Sequence, residues 1–238
     1  TESGFQSSSG GAVGVWHFED NALDYTDNFN NGTAANAAYA AGRFGRALSC
    51  NGSSTYSSLA TVGFSTSAFT LELWVKLTAW SNYQDIVHSA TDGADANRIT
   101  LERSNGTSCA GNDQLVWVTA NAAGTYDLLC SQTNLALNTW YFISASFDSA
   151  GNKKIYINGL LENSITAAGK VPETISATFH VGYPWNATAA RWLNGAVDEL
   201  RISSRVLSAA EILLDMGNTP LATLVETPTN IVFDEIST

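Results

Sequence analysis

The stretch Phe69-Thr-Leu-Glu-Leu-Trp-Val-Lys-Leu77 alternates without a break between two sets of side chains. Successive side chains of an extended strand leave opposite sides. Phe69, Leu71, Leu73, Val75 and Leu77 therefore share one face, and Thr70, Glu72, Trp74 and Lys76 share the other. The pattern predicts a strand of a β-sandwich with one buried face. Shorter runs of the same kind recur at 13–18, 56–59, 85–88, 98–102, 114–119, 140–147, 154–157, 178–182 and 196–202, separated by clusters of Gly, Asn, Asp and Ser. Asn158-Gly159 between Lys-Ile-Tyr-Ile and Leu-Leu-Glu predicts a type I′ hairpin, because that turn needs positive φ at both central residues.

A single segment reads as helix. Ser208-Ala-Ala-Glu211 has the spacing of a capping box, Ile212, Leu213 and Leu214 follow, and Gly217 can close the C-terminus. Residues 1–11 and 218–238 read as linker or extension around one domain at 12–217, the latter with Pro220 and Pro228. Many short strands and one late helix narrow the fold to an all-β sandwich or barrel.

The chain has 238 residues, 11 Lys and Arg against 22 Asp and Glu, and a net charge of −11. A phosphate backbone or an anionic membrane surface would be repelled, and no apolar run is long enough for insertion into a bilayer. Neither nucleic acid nor membrane insertion is expected. Three cysteines leave at least one thiol over; Cys109 and Cys130 flank the apolar runs 114–119 and 126–130, so a hairpin between those runs would pair them, two reduced thiols being the alternative. Acidity with abundant Asn, Thr, Ser and Gly suits a secreted or cell-surface bacterial protein.

The stretch Gly14-Val-Trp-His-Phe-Glu-Asp20, then Gly42-Arg-Phe-Gly-Arg-Ala-Leu48 and Asn51-Gly52, resembles the opening of laminin-G-like jelly-roll domains of the concanavalin A-like lectin/glucanase superfamily. Phe69 to Val75 resembles the central strand of that family. Asn138-Thr-Trp-Tyr141 with Lys154-Ile-Tyr-Ile-Asn-Gly159 resembles its paired strands. Gly195 to Ser203, followed by Arg205-Val-Leu-Ser-Ala-Ala-Glu-Ile212, resembles its closing strand and helix. The resemblance implies a two-sheet antiparallel jelly-roll sandwich with one short C-terminal helix. It also implies a non-catalytic carbohydrate-binding or adhesion module of a larger exported protein, with a glycan or cell-surface protein, and neighbouring modules or subunits, as partners. A structural or assembly subunit is the alternative. The glucanase strand motif Glu-x-Asp-x-x-Glu, which sets two carboxylates on one face, is absent.

Two sets of candidate site residues follow. Period-two geometry puts Asp198 with Ala196, Leu200 and Ile202 on the apolar face, where a carboxylate requires a cation or several N–H donors. The family's structural calcium, carried onto this chain, selects the Asp198 side chain with Glu19 and Gly52. The alternative is that Asp198 only accepts hydrogen bonds from backbone or arginine. In the second set, Asp85, Asp92, Asp95 and Asn97 around the loop 90–96 offer a calcium-bearing rim, or simply a solvated acidic loop. Trp80, Tyr83, Tyr183, Trp185 and Trp192 offer rings for stacking on a sugar, with the alternative that Trp185 and Trp192 are lids over the core. Trp16, Trp117 and Trp140 are assigned to the core.

Overall fold

The computed structural model describes residues 11–36, 38–81, 83–89, 94–176, 178–186 and 191–217. Residues 1–10 and 218–238 of the two expected linkers lie outside the described residues, as does Asp92. Fifteen strands precede one helix: β1 (Ala12–Trp16), β2 (Gly32–Ala35), β3 (Tyr39–Ala41), β4 (Arg46–Asn51), β5 (Tyr56–Leu59), β6 (Ala68–Leu77), β7 (Gln84–Ser89), β8 (Ile99–Arg103), β9 (Gln114–Ala120), β10 (Tyr126–Asn134), β11 (Trp140–Asp148), β12 (Asn152–Ile157), β13 (Leu160–Thr166), β14 (Phe179–Val181), β15 (Asn194–Ser203) and α1 (Ala209–Asp215). They form two antiparallel sheets. One has eight strands in the order β13-β12-β11-β6-β15-β4-β3, with β1 also on β15; the other has seven, β10-β9-β8-β7-β14-β5-β2. This is the expected jelly-roll sandwich. The short strands β2, β3 and β4 were not legible as strands, since their Ala, Gly, Ser and Asn residues carry little apolar alternation, whereas β13 is the second strand of the hairpin expected at Asn158-Gly159.

Between the sheets, Phe69 of β6 stacks on Phe147 of β11 at 5.4 Å and Phe179 of β14 at 5.9 Å. Trp16 and Trp117 are fully buried, and their indole N–H groups donate to Asn30 O and Ser146 O. The Asn158-Gly159 hairpin has φ of 51° and 79°, as its turn type requires. Ser208 caps α1 through the reciprocal bonds with Glu211.

The outer face of β6 differs from expectation. Thr70, Glu72 and Trp74 are as buried as the core residues beside them. Helix α1 covers this face: Ile212 and Met216 pack with Trp74, Phe142 and Tyr156. Arg201 of β15, opposite Glu72, reaches Asp215 of α1 at 2.5 Å. Trp140 belongs here too. It is half-buried on the outer side of the eight-stranded sheet and is not a core residue, because it stands opposite Lys76 in the register with β6.

Candidate functional site

The outer face of the seven-stranded sheet carries the densest group of polar and aromatic side chains. On β8, Ile99 and Leu101 point into the core, so Arg98, Thr100 and Glu102 line the other side. On β7, Asp85 is the register partner of Glu102, and a bulge follows it. All four of these outward residues are buried. Segments before β8 and after β14 lie across them, and the chemistry of the face explains how they are held.

Arg191 is the centre of that attachment. Its guanidinium donates to both oxygens of Asp85, Nε to Oδ2 at 2.9 Å and Nη2 to Oδ1 at 2.6 Å, and also to Glu102 Oε2. Arg98 donates from Nη2 to the same Glu102 oxygen at 3.0 Å, from Nε to Thr100 and from Nη1 to Asp95. Two guanidinium groups thus bridge three carboxylates. Burial and the neighbouring Asp85 charge push the Glu102 carboxyl up to about 7 against the pull of Arg191 and Arg98.

This network fixes Trp185. Its backbone N–H donates to Asp85 Oδ2 at 2.6 Å and its indole N–H to Ala94 O at 3.1 Å. The Arg98 guanidinium lies 4.2 Å from the ring centroid, and Arg191 lies 4.6 Å from that of Tyr83. A pocket of about 220 Å³ opens beside the ring, lined by Tyr83, Asp95, Arg98, Glu102, Ser108, Tyr126, Leu128, Trp185 and Arg191. Its far wall is held by the disulfide between Cys109 and Cys130, whose Cα atoms are 5.9 Å apart. The sulfur pairing expected from the flanking runs is present, and Cys50 is the free, buried thiol.

The residues read from the sequence divide accordingly. Tyr83, Asp95 and Trp185 meet in this pocket, with Asp85 directly beneath it. Asp85 and Asp95 spend their charge on Arg191 and Arg98, and among the described residues no cluster of three or more His, Cys, Asp or Glu could hold a metal. Asn97 instead caps the backbone of Glu173 and Thr174. Tyr183 and Trp192 form a separate aromatic group with Tyr56, at ring separations of 4.9 to 6.0 Å. Trp80, 41% exposed, covers Arg103. Arg98, Glu102, Ser108 and Tyr126 were missed. The one available signal was Arg98-x-Thr100-x-Glu102, a polar alternation facing away from Ile99 and Leu101.

The other candidate centre lies on the eight-stranded sheet. Val197, Leu200 and Ile202 are the core residues of β15, a spacing of three and then two that reflects a bulge at Asp198 and Glu199, where φ of Glu199 is +50°. Asp198 therefore leaves the apolar face assigned to it and points outward with Ala196. Here β4 pairs with 194–197 and β1 with 200–203, so the bulge falls in the gap between two strands that share one edge. Asp198 Oδ2 accepts N–H bonds from Arg43 and Phe44 at 2.7 and 2.9 Å, and Glu19 Oε1 accepts from Arg46. The two carboxylates grip the loop 42–46 from both sides. A Cβ on Gly42 would come within 2.5 Å of Asp198, and one on Gly45 within 1.9 Å of Glu19, which explains both glycines. Asp198 Oδ1 is buried with no hydrogen-bond partner among the described residues. Gly52 does not join them: it sits beside Asn194, past the far end of β4, about 16 Å away at roughly 3.3 Å per residue.

Comparison with known proteins gives the fold a lineage. A family model described as the concanavalin A-like lectin/glucanases superfamily matches residues 51–213. No curated protein sequence matches the chain. Among solved structures, domain 4 of AbnA, a GH43 extracellular arabinanase from Geobacillus stearothermophilus solved with arabinotriose, is similar at 22% identity and a TM-score of 0.67, over 87% of this chain and 98% of that one. The receptor-binding domain of botulinum neurotoxin C/D mosaic serotype is similar at 16% identity and TM-score 0.68, and the binding domain of Paraclostridial Mosquitocidal Protein 1 at 15% and 0.68. Each is matched over 87% of this chain, which spans about half the length of those toxin chains (51% and 52%). With its model matched over more than half its length and its strands arranged as that fold requires, the chain belongs to the concanavalin A-like lectin/glucanases superfamily.

Proposed function

We propose that the chain is a non-catalytic carbohydrate-binding module of an exported modular protein, and that its glycan site is the pocket beside Trp185. The observation that carries the reading is the fixation of Trp185. A tryptophan held by one backbone and one indole hydrogen bond and by a guanidinium against its ring, at the mouth of a pocket with carboxylate, guanidinium and hydroxyl groups, offers a sugar an apolar face and partners for its hydroxyls. At about 220 Å³ the pocket suits one ring of a longer chain. The arabinotriose complex of the similar arabinanase domain supports this substrate class.

A non-catalytic role is supported by the state of the nearest carboxylate pair. Asp85 and Glu102 face each other across β7 and β8, but one guanidinium binds both and Asp85 is fully buried, so the pair offers no free carboxylate to attack a sugar carbon. Export is supported by the disulfide. No helix among the described residues is long and apolar enough to cross a membrane.

The structural calcium belongs to the proposal in a narrower form than the sequence suggested. Asp198 and Glu19 offer hard oxygen donors on the same loop, and the orphaned Asp198 Oδ1 suits a cation; Gly52 is outside the set. An ion there would add to the grip on loop 42–46.

The test is calorimetric titration with arabinotriose and with a panel of neutral plant oligosaccharides. Trp185→Ala is expected to weaken binding by tenfold or more while the far-UV spectrum is kept, in line with roughly 1 to 2 kcal/mol for a stacked ring. Unchanged affinity in Trp185→Ala, or no binding by the intact chain across the panel, would overturn the assignment and favour a role in assembly.

A further inference from the structure

The outer face of the eight-stranded sheet holds a second pocket, of about 450 Å³, between the loop 42–46 and the C-terminus of α1. Its walls include Arg43, Trp74, Trp140 and Asn158. Trp74 stands opposite Phe142, and Trp140 opposite Lys76, in the pairing of β6 with β11, so all four side chains share this face.

The charges there are unusual for this chain. Of its eleven Lys and Arg residues, seven (Arg46, Arg98, Arg103, Lys170, Arg191, Arg201 and Arg205) are paired with Asp or Glu, and Lys153 donates to two backbone carbonyls. Arg43, Lys76 and Lys154 remain without an acidic partner among the described residues. Arg43 lines the pocket, and Lys76 lies over the ring of Trp140 in its wall, in a protein that carries a net charge of −11. Both rest on aromatic rings: the Arg43 guanidinium is 4.7 Å from the Trp74 centroid and 5.2 Å from that of Phe44, and the Lys76 ammonium is 4.8 Å from that of Trp140. Stacking restrains two long side chains that would otherwise sample many rotamers, so less entropy is lost when they engage a ligand.

We propose that this pocket binds a carboxylate-bearing sugar, a uronic acid residue of a polysaccharide. Arg43 pairs with the carboxylate through its planar fork, Lys76 adds the second positive charge, the exposed part of Trp140 meets the ring, and Asn158 meets a hydroxyl. The pocket lies on the opposite sheet from Trp185, so the two sites are independent and a glycan with both neutral and acidic residues can be held on both faces.

The experiment titrates the full chain with trigalacturonic acid, its methyl ester and a sulfated neutral trisaccharide, at low and high salt. The acid is expected to bind at least about tenfold more tightly than the ester, with the preference reduced by salt. Arg43→Gln and Lys76→Gln, whose side chains make ring contacts and no hydrogen bond or ion pair among the described residues, are each expected to remove most of that preference. Trp185→Ala is expected to leave it intact, even if arabinotriose binding is lost. Equal binding of acid and ester, or a preference that survives Arg43→Gln, overturns the proposal. Loss of the acid in Trp185→Ala also overturns it, by placing the acid in the first pocket. Equal preference for the sulfated sugar rejects the carboxylate in favour of general anion binding.

Discussion

Replacing Arg191 by Met removes the guanidinium and keeps much of the stem's volume, so its effect isolates the charge. Asp85 is fully buried, and in the variant the Trp185 N–H is its only remaining donor among those that Arg191 and Trp185 supply. Losing one partner of a buried pair costs roughly 3 to 5 kcal/mol. Urea denaturation followed by tryptophan fluorescence is expected to give a loss of about 3 to 5 kcal/mol at pH 7. The double variant Asp85→Asn/Arg191→Met is expected to recover much of the loss at pH 7. A loss below about 1 kcal/mol would refute the view that this ion pair fixes the loop bearing Trp185.

Cys109→Ser/Cys130→Ser opens a loop whose ends are 21 residues apart, worth about 3 kcal/mol by loop-closure entropy, so thermal melting is expected to fall by roughly 10 °C; a fall below about 3 °C would count against the estimate. Glu102, whose carboxyl stands near 7 in the folded chain against about 4.3 unfolded, holds its proton longer when folded. Its contribution is complete below pH 4 and lost as pH rises toward 7, so Glu102→Gln is expected to flatten the decline in stability across that window, as urea midpoints at half-unit steps would show. Calcium is expected to raise the melting temperature of the intact chain and to leave Asp198→Asn unmoved; an equal rise in both would remove the ion from the loop 42–46. Ser208→Ala is expected to lower stability by about 1 kcal/mol through the lost cap, measured by the same denaturation.

Local signals were the legible ones. The alternation of Phe69 to Leu77, the Asn158-Gly159 turn and the Ser208–Glu211 cap each involve residues within one element, and each is present. What the sequence concealed is non-local. The polar side of β6 is buried because α1, more than 130 residues later, folds over it. Asp198 leaves the face that strict alternation assigns because a bulge shifts the register by one residue exactly where β4 ends and β1 begins. The aromatic residues of the site could be named, but their support could not: Asp85, Glu102 and Arg191 are 17 and 89 residues apart along the chain and touch only through the strand pairing and a returning loop. Asp85 and Asp95, read as part of a calcium rim, are counterions for Arg191 and Arg98.

The account rests on a sugar meeting the Trp185 ring. The chain has seven tryptophans, and their indole N–H groups give separate signals in a ¹⁵N–¹H correlation spectrum once each is assigned by substitution. Adding arabinotriose is expected to shift the Trp185 signal in a saturable way while those of the buried Trp16 and Trp117 stay in place. A titration in which Trp185 stays fixed, whether other tryptophans move or none does, would contradict the assignment of the glycan site.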